Sequence, residues 1–247
     1  MRRGRAIVGA VGVLLVMAAF AWAVTGVHGF GHGTTRYGEL VGRATVPQRA
    51  ATNAVVVTAF DFRGFDTLGE EFILFISVVG VSVLLRSLRS DRTEGEQRVE
   101  SPGPRGSEVS RWMGAALVGP IAVLAAYIVV HGALTPGGGF QGGVILMAAI
   151  AVIFVGGEYV VLLSVRKSAT WFDIADALGA AGFALLGFGG LVAAGVFFQN
   201  FIDKGKSGLL TGGMIPLANV AVGMEVAAAL LMVVAELLDQ RLLSTKT

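Results

Sequence analysis

The stretch HGALTPGGGFQGG, residues 131–143, decides how the chain must fold, because it is a polar, glycine-rich break between two long apolar runs. The runs cover roughly residues 113–130 and 144–165. Each is close to the about 17–25 residues that an α-helix needs to cross the hydrocarbon core of a membrane. Non-helical backbone is not tolerated where it faces lipid. The break is therefore predicted to be a tight turn at a membrane face.

The composition excludes an ordinary soluble domain. Of the 247 residues, 54% are hydrophobic and 15% are charged, whereas soluble domains carry about 25% charged residues. The 36 glycines are scattered inside the apolar runs, where glycine lets neighbouring membrane helices approach closely. Cysteine is absent, which excludes disulfides and cysteine-based metal sites.

Six apolar runs can be marked, and continuous apolar character without a period of two favours helices over a β-barrel. The runs cover residues 6–27, 72–88, 113–130, 144–165, 178–198 and 217–238. The predicted fold is an all-α integral membrane bundle of about six transmembrane helices. The first run can alternatively be a cleaved signal peptide ending near Ala21-Trp22-Ala23. It is interpreted as a span because it exceeds the usual apolar core of about 7–15 residues.

The placement of basic residues predicts the orientation of the bundle, because loops on the cytoplasmic side are enriched in lysine and arginine. With the N-terminus inside, 13 of the 19 basic residues fall on the cytoplasmic side. An even number of spans then places both termini inside. The net charge of +2 is small, so a nucleic-acid partner is not expected.

The chain is predicted to consist of two membrane modules. Residues 89–111 are rich in Arg, Glu, Ser, Pro and Gly, which is typical of a flexible cytoplasmic linker. Residues 1–88 would form a two-span module before it, and residues 112–247 a four-span module after it. No internal repeat is evident in the sequence, so a transporter built from inverted repeats is not supported.

A second motif, DFRGFDTLGE at residues 61–70, places ionisable residues and glycines directly before the second apolar run. Asp66 or Thr67 is expected to N-cap the second helix, with Glu70 in its first turn. Arg63 is well placed to pair with one of the acids. A capped helix entry with a surface ion pair would explain the motif without any role in transport. The motif residues are Asp61, Arg63, Gly64, Asp66, Thr67, Gly69 and Glu70.

Both motifs resemble parts of known ion-transport complexes. Residues 131–143 resemble the signature loop of the B subunit of the Mrp-type multisubunit Na+/H+ antiporters, the MnhB/MrpB family, and residues 217–226 resemble the last span of that protein. Residues 61–70, with NAVVVT at 53–58, resemble the C-terminal part of the Mrp A subunit and the E-type subunit of membrane-bound hydrogenases. In the loop, the resemblance is carried by Thr135, Pro136, Gly137, Gly138, Gly139, Phe140, Gln141, Gly142 and Gly143.

Ionisable residues inside or beside the spans are candidates for an ion path, because a charge at the membrane centre costs at least about 2.5–3.5 kcal/mol. The candidates are Glu225, Glu158, His131, Glu70 and Asp66. For Glu225, the deepest of them, an interhelical hydrogen bond or a subunit contact is the alternative. Asp173 and Asp176, near the start of the fifth run, are expected to be interfacial or capping residues.

The signature loop has its own candidate side chains. His131 can act as a proton relay or bind a loop carbonyl, and Tyr127 lies four residues earlier on the same helical face. Thr135 and Gln141 are expected to satisfy backbone groups that the turn exposes.

The resemblance implies a non-enzymatic membrane subunit of a monovalent cation/proton antiporter in a prokaryotic inner membrane. The implied partners are the large complex-I-like A and D subunits, the small C, E, F and G subunits, lipid, a monovalent cation and protons. The sequence contains no nucleophile–base pair or metal-ligand cluster, so no catalytic residue, metal or cofactor is expected. Two alternatives are a membrane-arm subunit of an energy-converting hydrogenase or related redox complex, and a purely structural subunit.

Overall fold

The computed structural model describes residues 2–26, 36–93, 107–156, 169–205 and 208–244, and most of these residues are helical. A π-helical turn, Thr58–Phe62, lies between the third and fourth helices. The predicted all-α fold is confirmed. The helices are α1 (Arg2–Thr25), α2 (Arg36–Arg49), α3 (Ala54–Val57), α4 (Gly64–Thr93), α5 (Glu108–Val130), α6 (Gly139–Val155), α7 (Ala169–Ala194) and α8 (Ile215–Ser244).

Four helices are long and apolar enough to cross a membrane. Their apolar segments are Gly64–Leu85 in α4, Glu108–Val130 in α5, Thr170–Ala194 in α7 and Ile215–Leu237 in α8. The first and fourth predicted runs fall on shorter apolar helices, with Gly9–Thr25 in α1 and Gly139–Phe154 in α6. The fourth run continues into residues 157–165, which lie outside the described residues.

The chain divides into two compact units, residues 1–40 and residues 41–247. The smaller unit contains α1, whose large apolar side chains such as Phe20 and Trp22 are exposed. The Thr25 hydroxyl donates a hydrogen bond to the carbonyl oxygen of Trp22 at 2.6 Å, so the last turn of α1 satisfies this polar group internally. The larger unit contains both sequence motifs.

Helix α8 is the centre of the larger unit, where it packs against α4, α6 and α7. Its apolar segment is 56% buried, whereas those of α4, α5 and α7 are 11–28% buried. Val222 and Val226 of α8 belong to one apolar core with Phe183 of α7 and Phe60 of the π-helical turn. The rings of Phe60 and Phe183 meet edge to face at 5.6 Å, a favourable aromatic geometry.

The connecting segments 50–63, 131–138, 195–205 and 208–214 pack together at one end of the larger unit, called the loop end below. Helices α4, α6 and α8 begin at the loop end, whereas α5 and α7 finish there. Helices α4 and α8 are therefore parallel to each other and antiparallel to α7. This alternation agrees with the predicted order of spans, and the cytoplasmic placement of the termini stays a prediction.

The ends of the predicted linker are helical. Helix α4 continues to Thr93, and α5 begins at Glu108, where the Ser107 hydroxyl accepts a hydrogen bond from the backbone N–H of Ser110. Residues 94–106, the middle of the predicted linker, lie outside the described residues.

Candidate functional site

The signature loop is closed by Asn53, which lies about 80 residues earlier in the sequence. Its side-chain amide donates hydrogen bonds to the carbonyl oxygens of Gly132 and Thr135, both at 2.8 Å, and approaches that of Gly137 at 3.4 Å. The Asn53 side-chain oxygen accepts from the backbone N–H groups that begin α3. One buried asparagine thus caps a helix and satisfies three carbonyls of a turn.

Replacing Asn53 with aspartate should destabilise the loop, because an oxygen would then face three carbonyl oxygens in place of a donor. We expect the free energy of unfolding in detergent to fall by about 2–3 kcal/mol. Thr52→Val is the matched control, since the exposed Thr52 donates one hydrogen bond to Leu134, which is worth about 1 kcal/mol. Equal losses of stability in thermal unfolding would contradict the assigned role of Asn53.

The loop leads into α6, whose first turns lie directly against α8. The backbone N–H of Gly139 donates to the side-chain oxygen of Asn219 at 2.7 Å, and the Asn219 amide donates to the carbonyl oxygen of Ile215 at 3.2 Å. A Cβ atom at Gly139 would overlap the backbone oxygen of Asn219, and one at Gly143 would lie 2.8 Å from that of Gly223. Gly139 and Gly143 are therefore required by the close crossing of α6 and α8.

The loop's other polar side chains have smaller roles. Gln141 is exposed, and the Thr135 hydroxyl donates to the carbonyl oxygen of His131 at 3.4 Å. His131 is half-buried, and its ring stacks on that of Tyr127 at 4.3 Å, so the expected contact between them forms between ring faces. The buried Nδ1 of His131 has no hydrogen-bond partner among the residues that the structure describes.

The second motif is divided between the loop end and the start of α4. Arg63 forms an exposed ion pair with Asp66. This agrees with the prediction that Arg63 pairs with one of the acids of the motif. The expectation that Asp66 or Thr67 caps the helix is wrong, because the π-helical turn ends at Phe62 and α4 already begins at Gly64. The Thr67 hydroxyl donates instead to the carbonyl oxygen of Ala59 at 2.7 Å. Glu70 and Gly69 are exposed.

Asp61 is the buried acid of the second motif. Its carboxylate pairs with Arg49 at 2.6 Å and accepts a hydrogen bond from the Asn200 amide at 2.8 Å. Asn200 also binds the carbonyl oxygen of Gly212 and the backbone N–H of Met214. The motif thereby ties the start of α4 to the segment before α8.

Three carboxyl groups lie buried together in the middle of the larger unit. Glu71 of α4 is 1% exposed, Asp176 of α7 is 2% exposed and Glu225 of α8 is fully buried. Glu71 and Glu225 are direct neighbours, and both interact electrostatically with Asp176. Within the described part of the chain, both Glu225 oxygens, one Glu71 oxygen and one Asp176 oxygen have no hydrogen-bond partner. We call these three residues the carboxyl cluster.

Gly179 brings α7 close enough to α8 to form this cluster. It lies one turn after Asp176, and a Cβ atom there would come within 2.6 Å of the Glu225 Cβ and 2.7 Å of the Ala221 carbonyl oxygen. A larger residue would push α7 away from α8 and separate the acids. Among the residues that the structure describes, no three His, Asp or Glu side chains are grouped so as to hold one metal ion.

Glu225 is buried within α8, and it lies beside two acids that the sequence had not indicated as candidates for the ion path. Asp176 was expected to be an interfacial or capping residue, and the capping role is wrong, because α7 begins at Ala169 and Asp176 is buried two turns inside it. Glu71 was overlooked beside the exposed Glu70. Glu71 lies one turn before Leu74, on the side of α4 that faces α8. This shared helical face is the feature that could have identified it. Glu158 lies outside the described residues.

Comparison with known families agrees with both motifs. Residues 109–232 match the family model described as a domain related to the MnhB subunit of Na+/H+ antiporters. The chain belongs to the MnhB family. Residues 1–100 of this MnhB-family chain match a second family model, MbhE, which describes the E-type subunit of MBH. Both resemblances predicted from the sequence are confirmed. An uncharacterized protein of Methanocaldococcus jannaschii is 31% identical over 202 residues, which cover 72% of this chain and 74% of that protein.

Two solved structures share the fold. One is a chain of the membrane-bound sulfane sulfur reductase, an archaeal respiratory membrane complex, with a TM-score of 0.69, 25% identity and coverage of 95% of this chain and 98% of that chain. The other is a chain of the Mrp complex from Dietzia sp. DQ12-45-1b, with a TM-score of 0.69, 22% identity and coverage of 95% of this chain. The MnhB-family chain spans 26% of that longer chain. With its four span-length helices, the protein is a multi-pass membrane protein.

Proposed function

We propose that this MnhB-family chain is a non-catalytic membrane subunit of a multisubunit monovalent cation/proton antiporter, and that its carboxyl cluster forms part of the ion path. The family match supports the antiporter assignment. Its proposed partners are the large A and D subunits and the small C, E, F and G subunits of such a complex, in a prokaryotic inner membrane. Residues 1–88 and 112–247 are proposed to be two membrane modules that are fused into one polypeptide.

The observation that carries the ion-path proposal is the burial of three acids without a basic partner in the described spans. The apolar segments of α4, α7 and α8 contain no lysine or arginine. The ion pairs Arg49–Asp61 and Arg63–Asp66 belong to the loop end and the start of α4, so neither arginine neutralises the cluster. An isolated buried carboxylate costs several kcal/mol. Each charge there must therefore be balanced by a proton or a bound cation, which is the property an ion path requires.

The other ion-path candidates have different surroundings. Asp66 is held by Arg63 at the surface, and Glu70 is exposed beside Glu71. His131 lies at the loop end with its Nδ1 unpartnered in the described chain, where it is a candidate for the entrance of the path. We therefore propose Glu225, Glu71 and Asp176 as its buried part.

A second candidate function is a membrane subunit of a redox-driven ion pump. It is favoured by the likeness to the sulfane sulfur reductase chain, 98% of which is covered at 25% identity. The carboxyl cluster is compatible with both functions. In either complex, the electron carriers or the large pumping subunits would be other polypeptides.

Purification from the native membrane should separate the two functions. We expect the tagged chain, extracted in mild detergent, to bring with it large complex-I-like membrane subunits without redox proteins, as identified by mass spectrometry. A tagged multi-pass protein of unrelated family from the same membrane serves as the control. Recovery with iron–sulfur or nickel proteins would instead support the redox complex. Recovery of the chain by itself would overturn both proposals.

A further inference from the structure

A buried serine lies on α4 below the carboxyl cluster. Ser82 follows Glu71 by eleven residues, which places it on nearly the same helical face and about 16 Å farther from the loop end. It is 7% exposed, and its hydroxyl has no hydrogen-bond partner among the described residues. Serines in membrane helices usually bond the carbonyl one turn back, as Ser77 does to Ile73 at 2.6 Å. The Ser82 hydroxyl is thus left available to another partner.

Helix α8 repeats this spacing. Glu236 follows Glu225 by eleven residues, so it also lies about 16 Å farther along nearly the same face. Since α4 and α8 are parallel, polar groups occur at two levels of the contact between them. Glu71 and Glu225 form the upper level, and Ser82 and Glu236 form the lower one. We call this line of contact the α4–α8 seam.

An apolar plug separates the two levels of the seam. Its centre is Val78 packed against Ala229 and Met232, and all three are at most 5% exposed. Phe172, one turn below Asp176 on α7, covers the same group. The plug consists of Leu74, Val78, Phe172, Ala229, Met232 and Val233. Dry apolar constrictions of this kind block water and ions until they are wetted.

We propose that the α4–α8 seam is a proton route from the carboxyl cluster to the end of the bundle opposite the loop end, and that the apolar plug is its closed gate. The proposal rests on the ion-path function proposed above. When water enters the plug, a cluster carboxyl releases its proton to that water. The water chain passes a proton to the Ser82 hydroxyl, which releases its own proton onward, so its net protonation is unchanged.

The seam suits protons better than metal cations. A hydroxyl can accept and donate hydrogen bonds at the same time, so Ser82 can join a water chain without becoming charged. The plug of valine, alanine and methionine side chains offers no oxygen to replace the hydration shell of a cation. A file of single water molecules needs far less space than a hydrated cation.

The gate is tested by Val78→Thr, which adds a hydroxyl to the plug at nearly constant volume. In the intact complex reconstituted into vesicles without Na+ or K+, we expect an imposed pH gradient to decay about tenfold faster, because a buried hydroxyl favours wetting. Val79→Thr is the control, since Val79 is 44% exposed on the same helix. Val78→Ala tests for loosened packing and should leak less than Val78→Thr. Equal decay in Val78→Thr and Val79→Thr would overturn the gate.

The route is tested by Ser82→Ala, with Ser77→Ala as its control. Ser82→Ala should slow cation-coupled proton transport about tenfold, because it removes the hydroxyl that completes the water chain. Ser77→Ala should transport at the parent rate, since that hydroxyl already bonds its own helix. Equal rates in the two variants would overturn the route.

The Glu225→Gln variant separates a failure of the seam proposal from a failure of the proposed ion-path function. If Glu225→Gln leaves transport intact, the ion-path function fails and the seam fails with it. If Glu225→Gln blocks transport while both pairs of matched variants behave alike, the seam alone is wrong.

Discussion

Replacing Glu225 with glutamine is expected to block cation/proton exchange while the complex still assembles. Glutamine keeps the size of the side chain but can neither release a proton nor balance a cation. Glu225 is fully buried beside Glu71, and the apolar segments of α4, α7 and α8 contain no lysine or arginine, so the substitution removes no ion pair within these segments. We expect the transport rate in reconstituted vesicles to fall by on the order of a hundredfold, within the range that a positioned proton-transfer group contributes.

Glu71 and Glu70 provide a matched pair for this experiment because they are adjacent in the sequence. Glu71→Gln removes a buried member of the carboxyl cluster, whereas Glu70→Gln changes an exposed side chain. We expect the first to impair transport and the second to leave it near the parent rate. Normal exchange by Glu225→Gln would exclude a relay. A Glu225→Gln chain that no longer joins the complex would show that the carboxyl group acts in assembly.

Gly139→Ala is expected to cause the largest loss of stability. The added Cβ would overlap the backbone oxygen of Asn219 and lie 3.0 Å from the Asn219 carbonyl carbon and the Gly223 nitrogen. These are backbone atoms of the most buried helix, so a side-chain rotation cannot relieve the overlap. Helix α6 must move away from α8, which breaks the 2.7 Å hydrogen bond from Gly139 to Asn219. We expect a loss of about 3 kcal/mol or more.

Gly80→Ala is the control for this change. Gly80 lies within α4, and a Cβ atom there would meet nothing within 4 Å. Alanine is the better helix former, so stability should stay level or rise by up to about 1 kcal/mol. Thermal unfolding in detergent, followed by circular dichroism, measures both variants. Equal melting temperatures would mean that the α6–α8 crossing is not as close as described.

The helices could be predicted from the sequence because uninterrupted apolar length identifies a membrane helix without any partner. The inward face of each helix could not be predicted in the same way. In α7 and α8 apolar residues surround the helix on all sides, so the amphipathic pattern that marks the buried face of a soluble helix is missing. Glu225 was found because it is the deepest acid of its run. Glu71 and Asp176 were not proposed for the ion path, because their burial depends on which faces of α4 and α7 contact α8, and the sequence does not show these faces.

The signature loop, too, could be predicted from the sequence only in part. Its glycine density predicted a turn between two helices, which the structure confirms. The need for glycine at a particular position could not be predicted, because it depends on distant residues. Gly139, for example, contacts Asn219, which lies 80 residues later in the sequence. The start of α4 was misjudged for a local reason, because the π-helical turn places an additional residue in the backbone before Gly64.

The central position of α8 has a consequence for how the protein is made. Helices α4, α6 and α7 all precede α8 in the sequence, so each leaves the ribosome before the helix that covers its inner face. Until α8 enters the membrane, Glu71 and Asp176 face lipid or water-filled insertion machinery, and Gly139 lacks its acceptor. The insertion of α8, which completes the packing of these helices, is therefore the last of these steps. Chains that stop before α8 would lack the helix that buries Glu71 and Asp176.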